Sequence, residues 1–206
     1  RYINFLPVSK GKAVAEKKLL TIKTSIDEVF SPQQISNRLY MNWFYAIEKW
    51  LYFLPLGREA RKNPFLKYLY AHGLHPLELP PEVGVMVPDM DLIKTPPLEW
   101  QAYLYLHFFY GKEKGDVFSD KEMEYFIFSK LKHIVKWRDG FPFTLKKRPI
   151  FHYLQLLEEF SILKKKQGHY IIEKPLSPIE HPNRSRAQLR QHFFQKNKPI
   201  ILKHFG

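Results

Sequence analysis

The chain has 206 residues and no cysteine, which excludes disulfides, thiol catalysis and thiolate zinc sites together. With 45% hydrophobic and 16% aromatic residues it can bury the core of one large or two small domains, so intrinsic disorder is excluded as well. The formal charge of +13 is uneven: residues 130–206 hold 17 Lys and Arg against 5 Asp and Glu, and the first 129 residues are close to neutral.

The chain begins at Arg1, as a fragment or a processed product would. Residues 2–6 form a short apolar run suited to a strand, and 12–23 have helical composition. Ser31 and Pro32 supply an N-cap and a first-turn proline. The helix they start is predicted over 32–53, with Ile35, Leu39, Trp43, Ile47, Trp50 and Leu54 three or four residues apart. Met41, Phe44, Tyr45 and Leu51 widen this face beyond one stripe, so Trp43 and Trp50 are candidate anchors for a protein partner or a second domain. Residues 39–56 are the most apolar stretch, yet Glu48 and Lys49 stand at its centre. That pattern predicts a buried helix and no membrane partner. A second helix is predicted over 58–71.

Residues 76–97 carry six prolines and Gly84 and read as a linker, with one short strand at Val83, Val85 and Val87. The predicted organisation is a helical domain over 1–97, a second domain over 98–174 and a basic extension over 175–206. The second domain opens with a helix from about Leu98 to Tyr110. A minimal strand at Asp116, Val117 and Phe118 follows, and Ser119 with Glu122 forms a capping box for a helix reaching Lys136 or Trp137. Pro149 suits the first turn of another helix, whose apolar face is Ile150, Tyr153, Leu154, Leu157 and Phe160. Ile162 and Leu163, then a polar turn, then Tyr170, Ile171 and Ile172 predict a hairpin.

This order, and above all the stretch from Leu154 through Glu158 and Glu159 into Lys164, Lys165, Lys166 and the strand at 170–172, resembles a winged helix-turn-helix domain. The resemblance covers about 98–174. The fold class expected is therefore mainly α: a helical N-terminal domain plus a winged-helix-like C-terminal domain with a short β-hairpin. The resemblance implies that Lys146, Lys147 and Arg148 stand at the mouth of a recognition helix. His152 and Gln155 would face a groove, and Lys164, Lys165, Lys166 and His169 would touch the backbone or minor groove as a wing. Glu158 and Glu159 would oppose deep insertion. In the extension, Arg184, Arg186 and Arg190 are further candidate phosphate contacts. Its helix, predicted over 185–195, can dock back through Leu189 and Phe193, pack on another subunit or follow a phosphate backbone.

Aromatics are interleaved with the basic excess: Trp137, Phe141, Phe143, Phe151, Tyr153, Tyr170, Phe193 and Phe194. That favours a binding surface over a solubility tail. No Gly-rich phosphate loop or nucleophile elbow is present. His72 and His75 read as a helix end, and the pair Asp89 and Asp91 as a turn. His107 and His133 read as core or boundary residues. No catalytic residue, metal ligand or cofactor site is nominated. The function expected is non-catalytic binding of nucleic acid, duplex DNA ahead of RNA, within an intracellular or organellar compartment. The alternatives are a structural subunit of a ribonucleoprotein such as an organellar ribosome, and a scaffold in a multiprotein assembly.

Overall fold

The computed structural model describes residues 32–53, 60–179 and 185–205. The expected strand at 2–6 and helix at 12–23 lie outside them. The described chain is mainly helical, with one small antiparallel sheet. Helix α1 (Pro32–Phe53) is followed by a 3-10 turn (Ala60–Lys62) and α2 (Pro64–Ala71). Then come 3-10 turns at Pro76–Glu78 and Met90–Leu92, α3 (Pro97–Phe108), β1 (Val117–Ser119) and α4 (Asp120–Tyr125). Helix α4 runs into a π-helical turn (Phe126–Lys130). The rest is α5 (Phe143–Lys146), α6 (Arg148–Glu159), β2 (Leu163–Lys166), β3 (His169–Ile172) and α7 (Ser185–Lys203). No helix of the described residues is long and apolar enough to cross a membrane.

Helix α1 has the bounds its periodicity predicts; of its predicted stripe, the side chains of Ile35, Leu39, Trp50 and Leu54 lie outside the described residues. Tyr40, Phe44, Ile47 and Leu51 are buried, while Trp43 is half-buried. These four fall at helical spacing and fill one side; Tyr45 is 60% exposed. The partner for this stripe is α7. Phe194 lies 5.1 Å from the Phe44 ring and 5.6 Å from the Tyr40 ring, and the Tyr40 hydroxyl donates to Phe194 O at 2.6 Å.

Helix α3 is central. Nine of its residues are buried, so it has contacts on all sides and no polar face. Gln101 is fully buried at its middle. Its amide oxygen accepts from Gly84 N at 2.7 Å and Val85 N at 3.0 Å, and its nitrogen donates to Val85 O at 2.9 Å. The short strand expected at 83–87 does not form, because a side chain and not a neighbouring strand satisfies that backbone. Gly84 has φ +95, and a Cβ there would meet Leu98 Cδ1 at 2.7 Å. Only glycine allows this approach of the 83–87 segment to α3.

The 76–97 stretch is buried along much of its length, at Leu79, Val83, Val85, Val87, Leu92 and Ile93. One hydrophobic cluster includes residues from α1, this stretch, α3, α6 and α7. The division expected near residue 97 thus passes through a shared core.

The sheet has the order β1-β3-β2, all antiparallel. Phe118 pairs with Tyr170, and Tyr170 with Lys165. The inner face carries Phe118, Tyr170, Ile172 and Leu163, all buried. The β2–β3 turn is Gln167 and Gly168, both with positive φ, which makes a two-residue hairpin. The expected capping box is present: Ser119 Oγ accepts from Glu122 N at 3.1 Å, and Glu122 Oε2 accepts from Ser119 N at 2.7 Å.

The helix that starts there ends sooner than predicted, at the π-helical turn instead of near Lys136. Residues 131–138 place their backbone groups on the 92–95 segment. Lys94 N donates to Lys136 O at 2.7 Å, Lys136 N to Thr95 Oγ1 at 2.8 Å and Arg138 N to Leu92 O at 2.9 Å. Leu131 and Val135 are buried beneath.

Candidate nucleic-acid interface

Helix α6 exposes one side to solvent. Ile150, Tyr153, Leu154, Leu156 and Leu157 are buried, Arg148 and Gln155 are exposed, and Phe151, His152, Glu158 and Glu159 are intermediate. Gln155 stands at the centre of this exposed side. Arg148 opens the helix, with its Nε 3.0 Å from Asp89 Oδ2. His152 Nδ1 is 3.2 Å from Pro88 O and 3.8 Å from the same Asp89 oxygen. Asp89 has φ +58, which turns the 88–91 segment alongside the helix start. Arg148 and His152 are therefore oriented by an acid before any ligand arrives. Asp89 and Asp91 act as the turn their sequence suggests.

Lys146, Lys147 and Arg148 do stand at the start of α6, and their surroundings differ. Lys147 is half-buried, 2.6 Å from Glu124 Oε2 and 4.7 Å from the Phe143 ring centroid. Lys146 makes no ion pair among the described residues.

The lysine triplet divides by strand geometry, because successive side chains point to opposite faces. Lys164 and Lys166 lie on the solvent face of the hairpin, with no ion pair among the described residues, and His169 is exposed across from Lys166. His169 Nδ1 is 3.1 Å from Gln167 O. Lys165 lies on the inner face, its Nζ 2.9 Å from the Tyr170 hydroxyl and 3.1 Å from Asp120 Oδ2. The same ammonium stands 5.6 Å from the Phe151 ring centroid, between hairpin and helix. Lys165 fixes the hairpin against α6 and is not a free wing cation.

The two acids at the end of α6 are matched. Glu158 Oε1 accepts from Lys165 N at 2.6 Å. Glu159 pairs with Lys203 Nζ at 2.7 Å and His204 Nε2 at 3.0 Å, both supplied by the end of the C-terminal helix. The extension docks back on the fold, through Arg190, Phe194 and Ile201; Leu189 is 51% exposed, against expectation. Phe193, as expected, packs edge-on to Phe160.

Arg190 is a correction to the candidate set. It is 1% exposed, donates to Val83 O at 3.0 Å and Leu79 O at 3.1 Å, and sits 3.0 Å from Glu48 Oε1. Burial lowers its pKa, and the Glu48 and Glu82 charges oppose that shift. Such a group cannot reach a phosphate. Arg184, and the side chains of Arg186 and Trp50, lie outside the described residues. Trp43 donates Nε1–H to Gly84 O at 2.8 Å and borders an apolar cavity of about 400 Å³ with Met86, Val87, Met90 and Phe205.

Beyond Lys146, Lys147 and Arg148, sequence reasoning nominated no cation of the 126–148 segment. The segment holds seven Lys and Arg (Lys130, Lys132, Lys136, Arg138, Lys146, Lys147, Arg148) and one acid, Asp139. The signal was available as local charge density. Among the described residues no group of three or more His, Asp or Glu is placed to hold a metal ion. His72 Nδ1 lies 2.8 Å from Tyr68 O, and His75 Nδ1 accepts from Leu77 N at 3.2 Å, as residues at helix ends do. His107 and His133 are exposed, contrary to expectation; His107 stacks on Phe126 at 3.8 Å.

Comparison with protein families matches residues 43–181 to the C-terminal domain of the competence protein CoiA. That match spans more than half of the chain, which belongs to this family. Neither the curated proteins nor the solved structures compared with it gave a match.

Proposed function

From this membership we propose that the chain is a competence-related protein whose residues 97–172 form a winged helix that binds nucleic acid, with duplex DNA on the α6 face. One observation carries the reading. The order α3, β1, α4, α6, β2, β3, closed by a β1-β3-β2 sheet, sets the exposed side of α6 beside a hairpin whose solvent face bears Lys164 and Lys166. The chemistry is that of phosphate contacts. Arg148 and Lys146 stand at a helix N-terminus, where backbone N–H groups and the helix dipole favour anions. Gln155 is the side chain placed to meet a base edge.

Competence involves the uptake of DNA, so a DNA-binding role accords with the family. The test is binding to a labelled duplex as salt is raised. A steep slope of log affinity against log salt is expected, and Lys164→Ala with Lys166→Ala should lower it by about two phosphate equivalents. Adding Lys165→Ala should lower the melting temperature in place of lowering the slope further. A slope near zero for the unaltered protein would end this reading. A second reading, a protein partner at the apolar cavity beside Trp43, is favoured by that cavity alone.

A further inference from the structure

The link between α4 and α6 is far longer than the three or four residues that join the helices of a helix-turn-helix. It is also built, through the hydrogen bonds of Lys136 and Arg138 to the 92–95 segment and the burial of Leu131 and Val135. A fixed element that holds exposed aromatic rings needs a reason, because exposed rings forgo burial. Phe143 is 51% exposed, Tyr125 59% and Phe141 39%.

The rings are supported from beneath. Phe128 packs against Phe143 at 4.4 Å between centroids and stacks on Trp137 at 5.0 Å and 21°. Cations frame them: Lys147 Nζ is 4.7 Å from the Phe143 centroid, and Lys130 Nζ is 5.7 Å from that of Tyr125. Lys147 also bonds Glu124, the neighbour of Tyr125, which ties the start of α6 to the end of α4. Lys132, Lys136, Arg138 and Lys146 make no ion pair among the described residues, and the segment's one acid, Asp139, is held by Lys94 at 2.8 Å.

We infer that Tyr125, Phe141 and Phe143, with the cations of the same segment, form a stacking platform for single-stranded nucleic acid. The inference rests on the nucleic-acid reading above and adds a second substrate form at a second surface. Charge and ring chemistry select the occupant. A protein-docking core is depleted of lysine, whereas here Lys130 and Lys147 stand at the rings, and Lys132, Lys136, Arg138 and Lys146 of the same segment make no ion pair among the described residues. In duplex DNA the base faces are covered by their neighbours, so an exposed ring reaches them only by prising a step apart. Unpaired bases offer faces, which stack on any aromatic ring, while their phosphates run along the lysines.

The experiment uses the whole chain, a fluorescein-labelled oligothymidylate of about 12 nucleotides and a duplex of the same length, read by anisotropy across a salt series. Phe143→Leu keeps the apolar bulk and loses the aromatic face, and Phe143→Tyr keeps the face. With Phe141→Ala, the Phe143→Leu variant should bind oligothymidylate about fivefold or more weakly. Its salt slope and its duplex affinity should stay those of the unaltered protein. Phe143→Tyr should bind both as well as the unaltered protein does, and a melting curve for each variant confirms the fold. A protein that binds duplex with a steep salt slope but not oligothymidylate overturns this inference alone. Equal loss of both ligands in the Leu variant, or no loss of either, overturns it too. Binding to neither ligand overturns the nucleic-acid reading with it.

Discussion

Replacing Arg190 with Met tests whether this arginine belongs to the core or to the binding surface. Met keeps most of the length and apolar volume and removes the guanidinium. Leu79 O and Val83 O then lose charged donors at 3.1 and 3.0 Å, and the Glu48 carboxylate loses a cation at 3.0 Å. Removing one partner of a buried ion pair costs about 3–5 kcal/mol. The Glu48 side chain retains 24% exposure and can regain water, so the lower end applies, about 3 kcal/mol. For a chain of this size that is a fall of about 10 °C in melting temperature. Changing Glu48 to Met as well should restore part of the loss, because no charge then needs the missing partner. Thermal unfolding by circular dichroism gives the stability, and duplex binding across a salt series gives the charge role. A surface phosphate contact would behave in the opposite way: an unchanged melting temperature and a slope lower by about one phosphate. That outcome would refute the structural role and the packing of the C-terminal helix on which it rests.

Two further outcomes follow from burial. Burial raises the pKa of Glu99, in the first turn of α3, from 4.5 to about 7, so the folded protein holds a proton that the unfolded chain releases at lower pH. Stability from this group is complete below pH 4.5 and lost as pH rises to about 7. Glu99→Gln should remove that loss, and its melting temperature should gain on the unaltered protein across this window. Limited proteolysis decides the division near residue 97. With Leu79, Val83, Val85 and Val87 buried, we expect protection across 76–97, and a stable fragment beginning near Leu98 would instead establish two units.

The elements that local chemistry dictates were legible. Helix α1 follows from its proline start and apolar spacing, the start of α4 from a capping box, and the hairpin from two apolar runs around a glycine turn. The failures have a shared physical cause: the deciding partner is remote in sequence. The backbone at 83–87 is satisfied by Gln101, so alternating valines there do not make a strand. Arg190 looks like its basic neighbours until Leu79, Val83 and Glu48, more than a hundred residues away, are brought to it. The burial of Tyr40, which the α1 spacing did not single out, likewise follows from α7, whose Phe194 meets it. Lys165 is the exception, since strand alternation alone separates it from Lys164 and Lys166.

The same contacts explain why the positive field of the C-terminal region survives folding. Among the described acids of 130–206, Asp139 is held by Lys94 and Glu173 by Lys114, cations from outside the region. Glu159 takes Lys203 and His204, and Glu158 takes a backbone N–H. Two of these four acids are thus paired with cations from outside the region, and Lys203 is the one lysine of the region that the four engage in an ion pair among the described residues. Arg190 turns inward, and Lys147, Arg148 and Lys165 are tied to Glu124, Asp89 and Asp120. What is left unpaired at the surface includes two groups of cations, at 130–146 and at the hairpin. A solubility device would spread such charge and keep aromatics away from it. Here the larger group shares its segment with exposed rings, and the smaller stands beside the exposed side of α6. On the proposed reading, a field arranged in this way would concentrate a polyanion where ring faces and helix side chains can engage it.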